Sequence, residues 1–223
     1  LKNARELFDS YLQQVFSQPG EGWVEKSLGE ISDVGYGYTD KSTEEGDFRY
    51  VRITDIDKNG ELISEGKKYI QSSIEAEKFV VQEKDLLMAR TGATFAKVLL
   101  YRDYEPSIFA SYLIRINFKE DVDNELYWFF SKTQLYWNQA NELKSGAAQP
   151  HFNGAALKQV IFPYPQPKDE QTALIKKFRT ILAETRRLEV VFEQKLASLD
   201  ELKKSLLQKA FSGELTKGEG RAA

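Results

Sequence analysis

The spacing of apolar residues changes twice along the chain. Over residues 2–17, KNARELFDSYLQQVFS, Leu7, Tyr11 and Val15, with Phe8 and Leu12 beside them, recur at helical spacing until Pro19 and Gly20 stop them. From Trp23 the period shortens. WVEKSLGEISDV, FRYVRITDI, ELISEGKKYI, KFVVQEKDLLMAR, AKVLLYRD and IFASYLIRINF are short runs rich in β-branched and aromatic residues, bounded by Gly, Asn or Asp, as strands are. Asn59-Gly60 within DKNGEL suits a type I′ hairpin turn. The helical period returns in NELYWFFSKTQLYWNQANELK, with Leu126, Phe129, Phe130, Thr133 and Trp137 on one face. GAAQPHFNGAALKQVIFPYPQP then reads as a loop, a helical turn and a last strand stiffened by Pro163, Pro165 and Pro167.

The longest pattern is the last. Residues 168–213 contain no proline and no glycine before Gly213. Phe178, Thr185, Phe192, Leu199 and Leu206 fall seven apart, as do Leu174, Ile181, Leu188, Lys195 and Leu202, which together make an a/d seam over several heptads. The spacing predicts one helix of roughly 65 Å that needs a partner along its length. Asp169, Glu170 and Gln171 form its first turn, Lys203, Lys204 and Lys209 lie near its end, and Gly213 suits the left-handed position after it. The polar seam residues Thr185 and Lys195 are placed to fix register. The expected layout is a short helix at 1–20, a β-rich domain at 21–167, the long helix at 168–215 and a disordered tail at 216–223. The fold class is α+β: a mixed, strongly curved β-rich domain with peripheral helices, followed by a long coiled-coil helix.

The two helical ends are related. Shifted by 195 residues, Glu6, Leu7, Ser10, Leu12, Gln13, Phe16 and Ser17 match Glu201, Leu202, Ser205, Leu207, Gln208, Phe211 and Ser212 without a gap.

Composition narrows the chemistry. With 223 residues, 41% of them hydrophobic, the chain can bury one sizeable core. There is no cysteine, which removes disulfides and thiolate metal sites. No apolar run reaches a membrane span of roughly 18 residues, and a cytoplasmic location is the expectation. A net charge of −3 argues against a uniformly basic nucleic-acid binder and leaves room for local basic loops. Phosphate-loop, HExxH, GxSxG and dinucleotide motifs are missing, and histidine-dependent nucleophilic catalysis would rest on the lone His151. A non-catalytic chain is expected.

Binding is the stronger prospect. In DLLMARTGATFAKVLL, Arg90 and Thr91 precede Gly92, with Thr94 and Lys97 before the next strand; glycine permits close approach, and the side chains suit phosphates or base edges. YVRITDI sets Arg52 and Thr54 on one side of a strand with Tyr50. Tyr36 and Tyr38 in GYGYT suit stacking or hydrogen bonding at a DNA surface, and equally suit closing the core. SGAAQPHFNG alternates Gln149, His151 and Asn153, two amides that pair with adenine and a donor for phosphate or base.

Taken together, Trp23 with Leu28-Gly29-Glu30-Ile31, YVRITDI, KDLLMARTGATFAK, AAQPHFN, FPYPQPKDEQ and LDELKKSLLQKAFSGELT resemble the specificity subunit of Type I restriction-modification systems along essentially the whole chain. Members of that family usually carry two target recognition domains, each followed by a long spacer helix. Here there is one domain and one complete helix, with the tail of a preceding helix at its start, as in a half-subunit or the C-terminal half of a full one. The resemblance implies that the β-rich domain reads one half of a bipartite site in double-stranded DNA. The residues it assigns to DNA are Tyr36, Tyr38, Arg52, Thr54, Arg90, Thr91, Thr94, Lys97, Gln149, His151 and Asn153. It also implies a homodimer through Phe178, Ile181, Thr185, Leu188, Phe192, Lys195, Leu199, Leu202 and Leu206. Modification (methyltransferase) subunits and a restriction (translocase and nuclease) subunit are the implied partners. S-adenosylmethionine, ATP and Mg would act only on those partners, with no cofactor in this chain. The alternatives are a dimeric coiled-coil adaptor whose β-domain binds protein, and a stand-alone methyltransferase, which the missing [ND]PP[FYW] motif disfavours.

Overall fold

The computed structural model describes residues 2–146 and 151–213. The expected tail at 216–223 lies outside the described residues. In chain order the elements are α1 (Lys2–Ser17), β1 (Trp23–Ser27), α2 (Leu28–Ile31), β2 (Ser32–Tyr36), β3 (Phe48–Val51), β4 (Tyr69–Ile70), β5 (Leu86–Ala89), β6 (Val98–Leu100), β7 (Ser107–Phe109) and β8 (Leu113–Phe118). There follow α3 (Asn124–Phe130), α4 (Gln134–Leu143), α5 (Gly154–Leu157), β9 (Ile161–Pro165) and α6 (Lys168–Phe211). The fold is mixed α+β with a long final helix. Asp9–Phe178 makes one compact unit, and the described parts of Leu1–Phe8 and Arg179–Ala223 make another.

Within Asp9–Phe178 the strands form three sheets: β1-β9, β2-β8-β5-β6 and β4-β3-β7. All pairs are antiparallel except β3 with β7. Strand β5 is central and its four residues LLMA are all buried, which is why the sequence there is a continuous apolar run rather than an alternation. Register places Leu86 and Met88 with Ile116 and Ile114 on one face and Leu87 and Ala89 on the other. The second face joins Val51, Leu99, Tyr101, Phe109 and Leu113 in a core cluster. A smaller cluster of Tyr50, Ile70, Ala76, Ile108 and Ala110 surrounds β3, β4 and β7.

An aromatic cluster joins the helices to β9. The Phe162 ring lies 5.0 Å from Phe130, 5.2 Å from Tyr127 and 6.3 Å from Phe16. Phe178 in turn lies 5.1 Å from Phe129 and 5.8 Å from Phe16. The first turn of α6 is tied down by Gln171, which is fully buried. Its Oε1 accepts from the Asp123 amide (2.9 Å), and its Nε2 donates to the carbonyls of Pro165 (3.0 Å) and Asp121 (3.1 Å). A side chain expected only to end a polar first turn is therefore the hinge-pin of the β9–α6 junction.

Several local expectations change. The helical stretch after Asn124 is two helices, because Ser131–Thr133 turns the chain and Thr133 caps α4 by accepting from the Tyr136 amide (3.2 Å). At Asn59-Gly60 only Gly60 has a positive φ (73°), and its amide bonds the Asp57 carbonyl (3.2 Å). The Asp57 carboxylate also accepts from the amides of Asn59 and Glu61 (both 2.8 Å), so the turn is built around aspartate and a single left-handed glycine rather than as type I′. At Gly213 (φ 72°) the helix ends as expected.

The edge of α6 that is buried within the chain lies, in its first half, beside the expected seam row. Buried positions run Gln171, Ile175, Phe178, Leu182, Thr185, whereas Leu174 and Ile181 are half-buried. An undistorted helix turns 100° per residue, so within the chain the row Ile175–Leu182 lies deeper than the adjacent row Leu174–Ile181. In the second unit Phe8, Leu182 and Thr185 are buried. Beyond Thr185 the apolar stripe is uncovered: Leu188, Val191, Phe192, Leu196, Leu199, Leu202, Leu206 and Leu207 are 39–60% exposed. Lys195 lies on the same stripe and is exposed.

Candidate nucleic-acid interface

Three parts of the chain meet at the ends of β2, β5 and β8. Arg90 follows β5; its amide donates to the Tyr112 carbonyl (3.1 Å) and its carbonyl accepts from the Phe152 amide (2.8 Å). These bonds fasten the end of β5 to the β7–β8 turn on one side and to the segment before α5 on the other. The Arg90 guanidinium lies over the ring of Tyr36 (5.1 Å) and the ring of Tyr112 (6.0 Å), with Nη1 3.5 Å from the Ser111 carbonyl. The Tyr36 hydroxyl accepts from the Gly154 amide (2.9 Å). Glycine at 154 permits this approach: a Cβ there would sit 3.2 Å from the Tyr36 hydroxyl and 3.1 Å from Val34 Cγ2. Both rings are open to solvent, Tyr36 at 45% and Tyr112 at 56%.

His151 and Asn153 border the same place. His151 is exposed and its backbone bridges both Thr91 and Ser145. Asn153 is exposed and caps α5, its Oδ1 accepting from the Ala156 amide (2.9 Å). Gln149 lies outside the described residues. Tyr36, Arg90, His151 and Asn153 thus converge, joined by Tyr112, which sequence reading missed. The signal was available: an aromatic in the tight turn of FASYL, between two strands and outside their alternation.

Of the other candidates, Thr91 adjoins this group through its bridge to His151, and the rest are engaged elsewhere or lie on other segments. The strand expected to present Arg52 and Thr54 ends at Val51; Arg52 opens a 3-10 turn over Ile53–Asp55 instead. Its guanidinium is engaged by Asp55 (Nη2–Oδ1 2.7 Å, Nε–Oδ2 3.1 Å) and by the Gly66 carbonyl (3.0 Å). Tyr50, placed beside them in the sequence, is buried, and its hydroxyl donates to the Tyr38 carbonyl (2.7 Å). Thr54 is exposed. Thr94 donates to the Ile53 carbonyl (3.0 Å), joining the turn after Gly92 to the turn after Arg52. Thr91 is only 4% exposed, and its buried hydroxyl has no partner among the described residues. Lys97 is half-buried at the start of the β6 arm, where Ala96 adopts φ 60° and its carbonyl takes the Tyr136 hydroxyl (2.6 Å). Tyr38 is half-buried and packs its ring 5.4 Å from Phe79 beside the smaller core cluster.

Among the described residues, no group of three or more His, Cys, Asp or Glu side chains is arranged to hold a metal ion. Among the same residues, no helix is long and apolar enough to cross a membrane.

Comparison with known proteins agrees with this architecture. The EcoBI specificity subunit of the Type I restriction enzyme from Escherichia coli is 24% identical over 218 residues, 96% of this chain and 44% of that protein. The StySPI specificity subunit from Salmonella potsdam is 23% identical over 203 residues, 87% of this chain and 44% of that protein. The chain therefore spans somewhat under half the length of the curated relatives it matches. A chain from a structure of the type I R-M system superposes with a TM-score of 0.75 at 19% identity, covering 94% of this chain and 52% of that one. The HsdS subunit from Thermoanaerobacter tengcongensis gives 0.66 at 19% identity, covering 95% and 51%. A family model for the Type I restriction modification DNA specificity domain matches residues 20–194. That match takes in every strand, the convergence around Arg90 and the first half of α6, and by it the chain belongs to the family of Type I restriction modification DNA specificity domains.

Proposed function

We propose that this chain is the DNA sequence-recognition component of a Type I restriction-modification complex, reading one half of a bipartite target in double-stranded DNA. The observation that carries the reading is the half-buried Arg90 beside the exposed rings of Tyr36 and Tyr112, with His151 and Asn153 at the border, on a domain matched by the family model. The β-rich domain reads bases and α6 sets the distance to the second half-site. Two copies associate through the uncovered stripe of α6, whose period and extent are those of a helix-pairing seam. Methyltransferase subunits dock on the paired helices, and a restriction subunit joins them. S-adenosylmethionine, ATP and Mg act on those partners, where adenine methylation, translocation and cleavage take place. This chain contributes binding and orientation.

The test is a gel shift of the chain on target DNA with and without modification subunits. DNA binding that appears on adding the partner supports the reading; no binding under either condition refutes it in favour of a protein-binding adaptor. In the assembled complex, Arg90→Ala is expected to weaken binding by about tenfold or more, as loss of one base contact would. Wild-type affinity in that variant removes Arg90 from the interface.

A further inference from the structure

Five arginines lie in the unit Asp9–Phe178, and four of them are spoken for by carboxylates. Arg49 pairs with Asp103 (3.0 Å), Arg52 with Asp55 (2.7 Å), Arg102 with Glu125 (2.8 Å) and Arg115 with Asp85 (3.3 Å). Arg90 has no such partner among the described residues; its guanidinium meets one carbonyl, that of Ser111, at 3.5 Å. An arginine carries five N–H donors, so nearly all of this one's capacity is unspent. Yet the side chain is not loose. Its backbone is bonded on both sides, and its cationic centre lies over two tyrosine rings, one of them fixed through its hydroxyl to Gly154.

We propose that Arg90 reads a guanine in the recognised half-site, with Tyr36 and Tyr112 as positioning residues that hold the guanidinium plane. This rests on the DNA-recognition reading above. The guanidinium carbon lies within 6.0 Å of both ring centres, while its N–H donors, apart from the Ser111 contact, meet no acceptor among the described residues. Guanine presents N7 and O6 side by side in the major groove, a pair of acceptors that match two parallel donors of one guanidinium. A phosphate can take the same two-donor fork, and what favours a base edge here is the pair of open tyrosine rings beside the guanidinium. The two open tyrosines also belong next to bases, where an aromatic edge can meet a thymine methyl or a neighbouring ring.

The experiment is selection of bound sequences from randomised duplex DNA by the chain assembled with its modification subunits. Wild type should enrich a half-site containing an invariant guanine. Arg90→Ala and Arg90→Lys should both lose the requirement at that one position while the rest of the half-site stays enriched. Replacing that guanine by 7-deazaguanine, which lacks the N7 acceptor, should weaken wild-type binding about tenfold and leave Arg90→Ala unchanged. Tyr112→Ala should blur the same position, and Tyr112→Phe, which keeps the ring, should restore it. Weakening of Arg90→Ala that is equal across all sequences would show a phosphate contact and overturn the assignment. So would a wild-type half-site with no guanine, or a Tyr112→Ala variant with unaltered preference. If the wild-type complex enriches no sequence at all, the DNA-recognition reading fails first, and this inference with it.

Discussion

Replacing Gln171 by alanine should cost this chain a large part of its stability, although the residue looks like one more polar position at a helix start. Its amide satisfies three backbone groups: the Asp123 N–H at 2.9 Å, and the Pro165 and Asp121 carbonyls at 3.0 and 3.1 Å. The side chain is fully buried, so the three groups have no ready substitute. Each orphaned buried group costs about 1–3 kcal/mol, and a water in the vacated space would return part of that. A net loss of about 3 kcal/mol follows, or a melting midpoint lowered by roughly 6–12 °C for a chain of this size. Gln171→Glu is the sharper probe. One carboxylate oxygen can still accept from Asp123, but the other faces two carbonyls that need a donor. The buried acid is thereby held above its unfolded pKa of about 4.3. Its contribution is most favourable below that value and is lost as the pH rises through the folded pKa. At pH 7 Gln171→Glu should therefore be less stable than Gln171→Ala, and the gap should close towards pH 4. Urea unfolding followed by tryptophan emission reads the region directly, because the Trp23 indole donates to the neighbouring Glu170 at 2.9 Å. If both variants unfold within about 0.5 kcal/mol of wild type, the hinge-pin role is wrong.

Three further outcomes are expected. Leu199→Asp with Leu202→Asp places two charges on the uncovered stripe of α6 and should convert a dimer to a monomer in sedimentation; an unchanged mass sinks self-association through this face. Gly37→Ala should lower the unfolding midpoint strongly, because a Cβ there would lie 2.3 Å from the carbonyl oxygens of Phe109 and Ala110, whereas Gly35→Ala, with nothing within 4 Å, should be nearly silent; equal effects would contradict the close approach of the chain after β2 to the end of β7. Burial holds Tyr127, Tyr136 and Tyr164 well above the ordinary phenol pKa. Their contribution is complete below about pH 10 and is lost as the pH rises towards the folded values. An absorbance titration should then show a late group of tyrosines ionising together with loss of the fold, and a single reversible transition of all 11 near pH 10 with the fold intact would refute their burial.

The sequence was informative wherever one local rule decided the outcome. The period over residues 168–213 located α6 from Lys168 and its left-handed stop at Gly213, because caps and heptads are local. Which of two adjacent apolar residues turns inward within the chain depends on what covers the helix; here Ile181 is half-buried and Leu182 is buried. Family-wide motifs carried the resemblance that the family match then confirmed. Site geometry was less legible. Arg52 and Arg90 look alike in sequence, each following a short apolar run. Only the fold shows that Asp55 curls back onto Arg52 while Arg90 is met by rings. Tyr36 and Tyr38 are likewise two residues apart, yet one lies open over Arg90 and the other packs on Phe79, because Gly37 presses the backbone between them against Phe109 and Ala110.

The clasp of β1 on β9 has a consequence for how such a protein can change. Trp23 pairs with Pro165 and Ser27 with Ile161, so the chain enters and leaves the intervening segment at adjacent points. Everything from Leu28 to Val160 is thus a cassette with two neighbouring junctions. A transplant has two obligations, of which the first is to offer Gln171 the backbone groups that Asp121 and Asp123 supply here. It must also bring its own equivalents of Phe118, Tyr127 and Phe130, the rings that meet Phe16 or Phe162 across the junction. A new binding preference could then be installed in a single recombination, leaving α6 as it was.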